Sequence, residues 1–220
     1  MEELAMESVA VNSVEMDYEL DGWDLVWGHV ALEEGRDPGS IDLTELSGQV
    51  AEAARRRFDG KPLAEHPTAA ALRRLFRAAG CDPTRYRPSS EALLRRVLKG
   101  NTLPSIHPLV DLNNCLSMEL AVPACVLADG SFSSPVTLRA GRAGETYESL
   151  RGPFKLEGKP VLADAAGPFG TPITDSERVK VTGETRGAWL VAYLPRGVVP
   201  TGAVPEVLEE LVERVDGLRV

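Results

Sequence analysis

A chain of 220 residues, 43% apolar and 26% charged, has the composition of a globular protein, which excludes a fibrous or wholly disordered class. That length suffices to bury roughly 70% of the unfolded surface in one large domain. The net charge of -9 repels polyanions, so a nucleic-acid partner would need a local basic face.

From Val14 to Leu20 apolar and acidic residues alternate, the period of a strand with one wet face. Asp21-Gly22 supplies a tight turn, and Trp23 to Leu32 is apolar on both faces, so the pattern predicts an N-terminal β-hairpin. Trp23 and Trp27 are either core or an aromatic binding surface. Asp42 with Glu45, bracketed by Ile41 and Leu46, marks a helix start; the stripe Leu43, Leu46, Val50, Ala53 faces inward. The helix runs out in Arg55, Arg56 and Arg57, a dipole-favourable end or a phosphate contact.

Pro67 opens a second helix with Leu72, Leu75, Phe76 and Ala79 inward and Arg73, Arg74 and Arg77 outward. Ser89 opens a third, with Leu93, Leu94, Val97 and Leu98 inward and Arg95, Arg96 and Lys99 outward. Much of the basic charge therefore falls in residues 55 to 99, a region suited to a polyanion, though without interleaved aromatics for base stacking. Pro108 starts a fourth helix whose Leu109, Leu112, Leu116 and Leu120 share one face. At about 100° per residue, Asn113 lies about 40°, Ser117 about 80° and Asn114 about 140° from the direction of Leu109. With Asp111 they form a polar cluster that an apolar core does not need. A buried Asn113 must find partners, either tying backbone together or reading a ligand.

After Pro123 the chain becomes β-rich: Ala124 to Leu127, Val136 to Ala140, Lys159 to Ala163 and Ala188 to Leu194 read as strands. Between the last two lies a Gly- and Pro-containing loop, Ala165 to Glu177, of the kind that carries ligand contacts. A helix from about Pro205 to Gly217 ends the chain with Glu206, Glu209, Glu210 and Glu213 outward. The predicted class is α+β, a mixed or antiparallel sheet packed with several helices, in a single domain over 1–220. Its N-terminal hairpin and helix occupy 8–60 and its C-terminal helix 203–217.

Three cysteines without CxxC spacing fit reduced thiols. His29, His66 and His107 are scattered, so neither a metal site nor a cofactor is expected. No apolar run approaches the roughly 20 residues of a bilayer span, and the acidic start is unlike a signal peptide, so the expectation is a soluble cytoplasmic protein with no membrane partner.

The run Arg87-Pro88-Ser89-Ser90-Glu91-Ala92-Leu93-Leu94-Arg95-Arg96, then Leu103-Pro104, Pro108 to Asp111 and Asn113-Asn114, resembles the tRNA-binding and editing domain in the beta chain of phenylalanyl-tRNA synthetase, and more closely the stand-alone proteins built from that domain. Gly144-Glu145 and Val181 to Arg186 extend the resemblance, which covers roughly 67–194. It implies a pocket that hydrolyses tyrosine wrongly attached to tRNA. There the helix Asn falls on Asn114, the Glu of a late Gly-Gly-Glu loop on Glu177, and the His on Cys125, with Asp175 and Ser176 in place of the two Gly. Asn113, Ser117 and Thr171 are candidate substrate contacts, and Arg73, Arg77, Arg95 and Arg96 candidate tRNA contacts. Two functions follow: hydrolysis of mischarged aminoacyl-tRNA in trans, or recognition of tRNA, an amino acid or a related small molecule without hydrolysis.

Overall fold

The computed structural model describes residues 14–60 and 62–220; residues 8–13 of the expected N-terminal unit lie outside that range. In chain order the elements are β1 (Met16–Tyr18), β2 (Trp23–Leu32), α1 (Thr44–Arg57), α2 (Pro67–Ala78), α3 (Ser89–Leu98), α4 (Pro108–Leu120), β3 (Ala124–Ala128), β4 (Val136–Ala140), β5 (Thr146–Ser149), β6 (Gly152–Lys155), β7 (Pro160–Asp164), β8 (Gly167–Gly170), β9 (Gly187–Pro195), α5 (Ala203–Glu213) and β10 (Leu218–Arg219). This is the α+β class expected, with one antiparallel and one mixed four-stranded sheet and a two-stranded antiparallel sheet, β5-β6, among the described residues. No helix among the described residues is long and apolar enough to cross a membrane.

The central sheet has the order β10-β2-β9-β3 and is antiparallel throughout. Alternation along β2 sends Val26, Val30 and Leu32 to one face and Trp23, Leu25 and Trp27 to the other. The first face is covered by α1, α3, α4 and α5, whose Val50, Leu94, Leu112, Leu116 and Leu211 share one core with it. At Gly28 an added Cβ would stand 2.5 Å from Leu208 Cδ2, so the missing side chain lets α5 settle directly on β2. The second sheet, β1-β4-β7-β8, covers the other face, parallel only between β1 and β4. Trp23 and Trp27, 1% and 2% exposed, belong to this second core, beside Phe76 of α2 and Phe169 of β8.

Several expectations are corrected. β1 and β2 do not form a hairpin: β1 pairs with β4, while β2 pairs along one edge with β9 and at Ala31 and Leu32 of the other with β10. β10 reaches only Ala31 and Leu32, so the start of β2 keeps an open edge, where Leu25 N–H donates to the Tyr18 hydroxyl at 3.2 Å while the backbone of β1 pairs in the other sheet. In α1 the buried residues are Leu46, Val50, Ala51 and Ala54 rather than Ala53, and the helix starts at Thr44, whose N–H donates to Asp42 at 2.8 Å. In α3, Leu98 is exposed and Glu91 buried: pairing of Glu91 with Arg73 and Arg95 draws that side of the helix inward. Strands β5, β6, β8 and β10, of two to four residues each, escaped the sequence reading because they are shorter than a period-2 pattern can signal.

The arginines at the end of α1 serve the fold as well as the dipole. Arg57 donates to the carbonyls of Met118 and Glu119 at 2.6 Å each, closing the end of α4, and Arg55 donates to Val97 and Asn101 carbonyls at 3.1 and 3.3 Å, closing α3.

Candidate functional site

Strand β3 ends the central sheet, so alternate residues turn their backbone polar groups away from β9. Tyr193 N–H donates to Pro123 O on the paired side, which leaves Ala124 and Val126 facing outward from the sheet edge. Two side chains meet that edge. Asn113 on α4, 5% exposed, donates its Nδ2 to Ala124 O at 3.1 Å. Asp175 lies close to Cys125, Val126 and Thr171, and its Oδ1 has no hydrogen-bond partner.

Asp175 sits in the segment 171–176, which is held on three sides. Ser89 N–H at the start of α3 donates to Pro172 O at 2.8 Å. Tyr147 of β5 donates its hydroxyl to Thr174 O at 2.6 Å, and Ser149 bridges to Ser176. Thr171 closes the segment on itself, its Oγ1 donating to Thr174 O at 2.7 Å. Inside, the Cys125 thiol lies 3.4 Å from both Thr171 O and the Tyr193 hydroxyl. Asn113 Oδ1 at this edge, and Asp175 Oδ1 and Ser176 Oγ in the segment 171–176, are buried without a protein partner.

Burial dominates the electrostatics. It pushes the Asp175 carboxyl up to about 7, and holds the Cys125 thiol and Tyr193 phenol far above their ordinary values. Cys125 is therefore a thiol at neutral pH, not a thiolate nucleophile.

The fold gathers Asn113, Cys125 and Thr171 at one strand edge. Ser117 lies elsewhere, buried and donating to Val122 O at 2.6 Å in the turn after α4. Asn114, within α4, is half-buried, and its side chain makes no hydrogen bond with another described residue. Glu177 stands on an exposed 3-10 turn, paired with Lys180 at 3.1 Å. Among the arginines, Arg73 and Arg95 are joined to the buried carboxylate of Glu91, at 2.8 and 2.9 Å. Burial opposes ionisation of Glu91, but these two arginines hold it below the usual carboxylate range. Arg77 is exposed, and Arg96, also exposed, donates to Thr102 O at 2.6 Å.

Sequence reasoning missed Asp175, Tyr147, Ser176 and Tyr193 as members of the cluster. Asp175 carried one usable signal, the single ionisable residue among the hydroxyl and apolar side chains of 171–176; the two tyrosines arrive only through strand register. A cavity of about 370 Å³ lies away from the cluster, on the outer face of the second sheet, lined by Glu19, Arg139, Arg142, Glu145 and Asp164 among others. Its principal charges are already spent, since Arg139 and Glu145 pair twice at 2.6 and 2.8 Å and Asp164 accepts from Arg178. Among the described residues no group of three or more His, Cys, Asp or Glu could hold a metal ion.

A crystal structure of an N-terminal fragment of the phenylalanyl-tRNA synthetase beta-subunit from Pyrococcus horikoshii aligns with 84% of this chain at 14% identity and a TM-score of 0.41. The alignment takes in 44% of that fragment, so the chain spans less than half of its length. No curated protein matches the sequence. The B3/4 domain matches residues 71–202. Since that match covers more than half of the chain, the protein belongs to the B3/4 domain family.

Proposed function

We propose that this chain recognises the aminoacyl end of a tRNA at the β3 edge and hydrolyses a mischarged ester in trans. The observation that carries the reading is the set of buried, unpartnered oxygens on Asn113, at the β3 edge, and on Asp175 and Ser176 of the segment 171–176. Each such atom costs about 1–3 kcal/mol unless a ligand or water satisfies it. The resemblance of residues 87–114 to the synthetase editing domain gives that ligand its class.

In this reading water, not the Cys125 thiol, attacks the ester carbonyl, and the ribose oxygen leaves with the proton the water gives up. Asn114, whose amide is unspent, holds the carbonyl oxygen as charge develops. Glu177 orients the water once its exposed pair with Lys180 opens. The exposed Arg77 and Arg96 meet the phosphates, while Arg73 and Arg95 act mainly through Glu91.

A second reading is recognition of an amino acid or related small molecule without hydrolysis. It is favoured by the exposure of Glu177, by the sealed Cys125 in the place of the family His, and by the net charge of -9. Incubation with a panel of correctly and incorrectly charged tRNAs separates the two. Release of amino acid from a mischarged tRNA, reduced at least about tenfold in Glu177→Ala or Asn114→Ala, supports hydrolysis. Tight binding without release from any tRNA overturns it in favour of the second reading.

A further inference from the structure

We propose that the cavity on the outer face of the second sheet is a binding site of its own, for a small zwitterion of the free α-amino-acid class, with the ammonium on Glu19 and the carboxylate on Arg142. It stands apart from the β3 edge and does not depend on the reading given for that edge. The cavity measures about 370 Å³, near the lower end of ligand pockets, which run from about 300 to 1,000 Å³. Thr137 and Ala163, opposite each other on β4 and β7, line it from the sheet. The turn Ala165-Ala166-Gly167 brings no side chain larger than a methyl to its wall.

Five charged side chains line the cavity, and their partners divide them. Arg139 and Glu145 close on each other twice, and Asp164 accepts from Arg178 at 3.0 Å and from the N–H groups of Ser133 and Ala166. Glu19 and Arg142 remain. Neither makes an ion pair with a described residue: Glu19 acts on Arg139, and the Arg142 guanidinium on Glu145, only at longer range. Once the internal pairs cancel, one negative and one positive side chain are left on the same cavity.

Both are carried on fixed backbone. Glu19 N–H donates to Leu138 O at 2.8 Å, extending the pairing of β1 with β4, and Arg142 N–H donates to the Glu145 carboxylate at 2.9 Å. Gly144, at φ 74°, turns the chain so that Glu145 reaches back to Arg139. An added Cβ at Gly141 would collide with Leu156 O, so the glycine lets the turn that bears Arg142 settle in place. A buried ion pair such as Arg139–Glu145 adds little stability over an apolar pair of the same volume. At the wall of a polar cavity it has another effect, which is to hold fixed charges around a ligand.

The lining decides the class of that ligand. A phosphate would meet Glu19 and Asp164, and among the described residues no group of three or more His, Cys, Asp or Glu could hold a metal cation. A free amino acid carries an ammonium and a carboxylate together and satisfies both unpaired groups at once. The alanine methyls of Ala163, Ala165 and Ala166 are the apolar surface on offer, so the side chain that fits is small or hydroxylated, with the Thr137 hydroxyl as its partner.

The test is an NMR titration of the whole chain with L-serine, N-acetyl-L-serine and L-serinamide, in the native protein and in Glu19→Gln, Arg142→Gln and Asn113→Ala. Serine should half-saturate the native protein at or below about 1 mM, and the two analogues, each lacking one charge, should bind at least about tenfold more weakly. In Glu19→Gln serine should weaken at least about tenfold and lose its advantage over N-acetyl-L-serine while keeping it over L-serinamide; Arg142→Gln should do the reverse. Both variants replace exposed side chains, and thermal melts check that they fold. Asn113→Ala should bind serine as the native protein does. No saturation by about 10 mM, equal binding of the analogues, or unweakened binding in both cavity variants overturns the proposal. Weakening in Asn113→Ala alone also overturns it, by placing the amino acid at the β3 edge. Serine binding at the cavity with no deacylation of any tRNA would remove the hydrolytic reading and leave this site standing.

Discussion

The ends of α3 and α4 and the region around the β3 edge treat polar side chains differently. At the helix ends Ser117, Arg55 and Arg57 are each spent on a backbone carbonyl, closing α3 and α4 within an otherwise apolar core. Around the β3 edge and in the segment 171–176, Asp175, Ser176 and Asn113 keep buried oxygens unpaired, beside a thiol and a phenol that burial holds neutral. A polar group that completes a helix end belongs to the architecture. One buried without a partner is a standing cost, and marks where the molecule has something other than packing to do.

Mutations sharpen or break this contrast. The largest effect belongs to the helical face: Leu112→Ala, at a fully buried position, should destabilise by about 2–5 kcal/mol in denaturant unfolding with no change in ligand specificity. Asp175→Asn should run the opposite way, stabilising the protein at pH 8 by at most about 4 kcal/mol and hardly at all at pH 4, because the neutral amide escapes the penalty of ionising in place. Thermal melts at the two pH values read this directly, and a loss of stability at pH 8 would show that the carboxylate is compensated after all. Glu91→Gln should cost about 3 kcal/mol, since two arginines lose a buried countercharge. If Arg73 and Arg95 meet RNA only through that network, tRNA affinity falls in the same variant.

Asn113→Ala should cost about 1 kcal/mol, because the lost bond to Ala124 O is partly offset by removal of an unpaired oxygen. The smallest effect is that of Glu177→Ala, under about 0.5 kcal/mol on stability, as for other exposed ion pairs. Any change it produces in deacylation is then a change at the site and not in the fold.

What could be read from the sequence alone was whatever depends on local periodicity. The leucine stripe of α4, the ends of α2 at Pro67 and near Gly80, the strand Val136–Ala140 and the α+β class all follow from spacings within a dozen residues. The same local reading put Asn113 on a buried side and left open whether it ties backbone or reads a ligand; its Nδ2 ties Ala124, and its Oδ1 remains unspent. Tertiary structure decided what no spacing encodes. It sent β1 to β4 rather than to its sequence neighbour β2, and joined Arg73 and Arg95 to the buried Glu91. It also carried Tyr193 to Cys125 across 68 residues and placed Asp175 against the β3 edge while leaving Glu177, two residues on, exposed. Burial sets the protonation of these groups, and burial is a property of the assembled fold rather than of any stretch of chain.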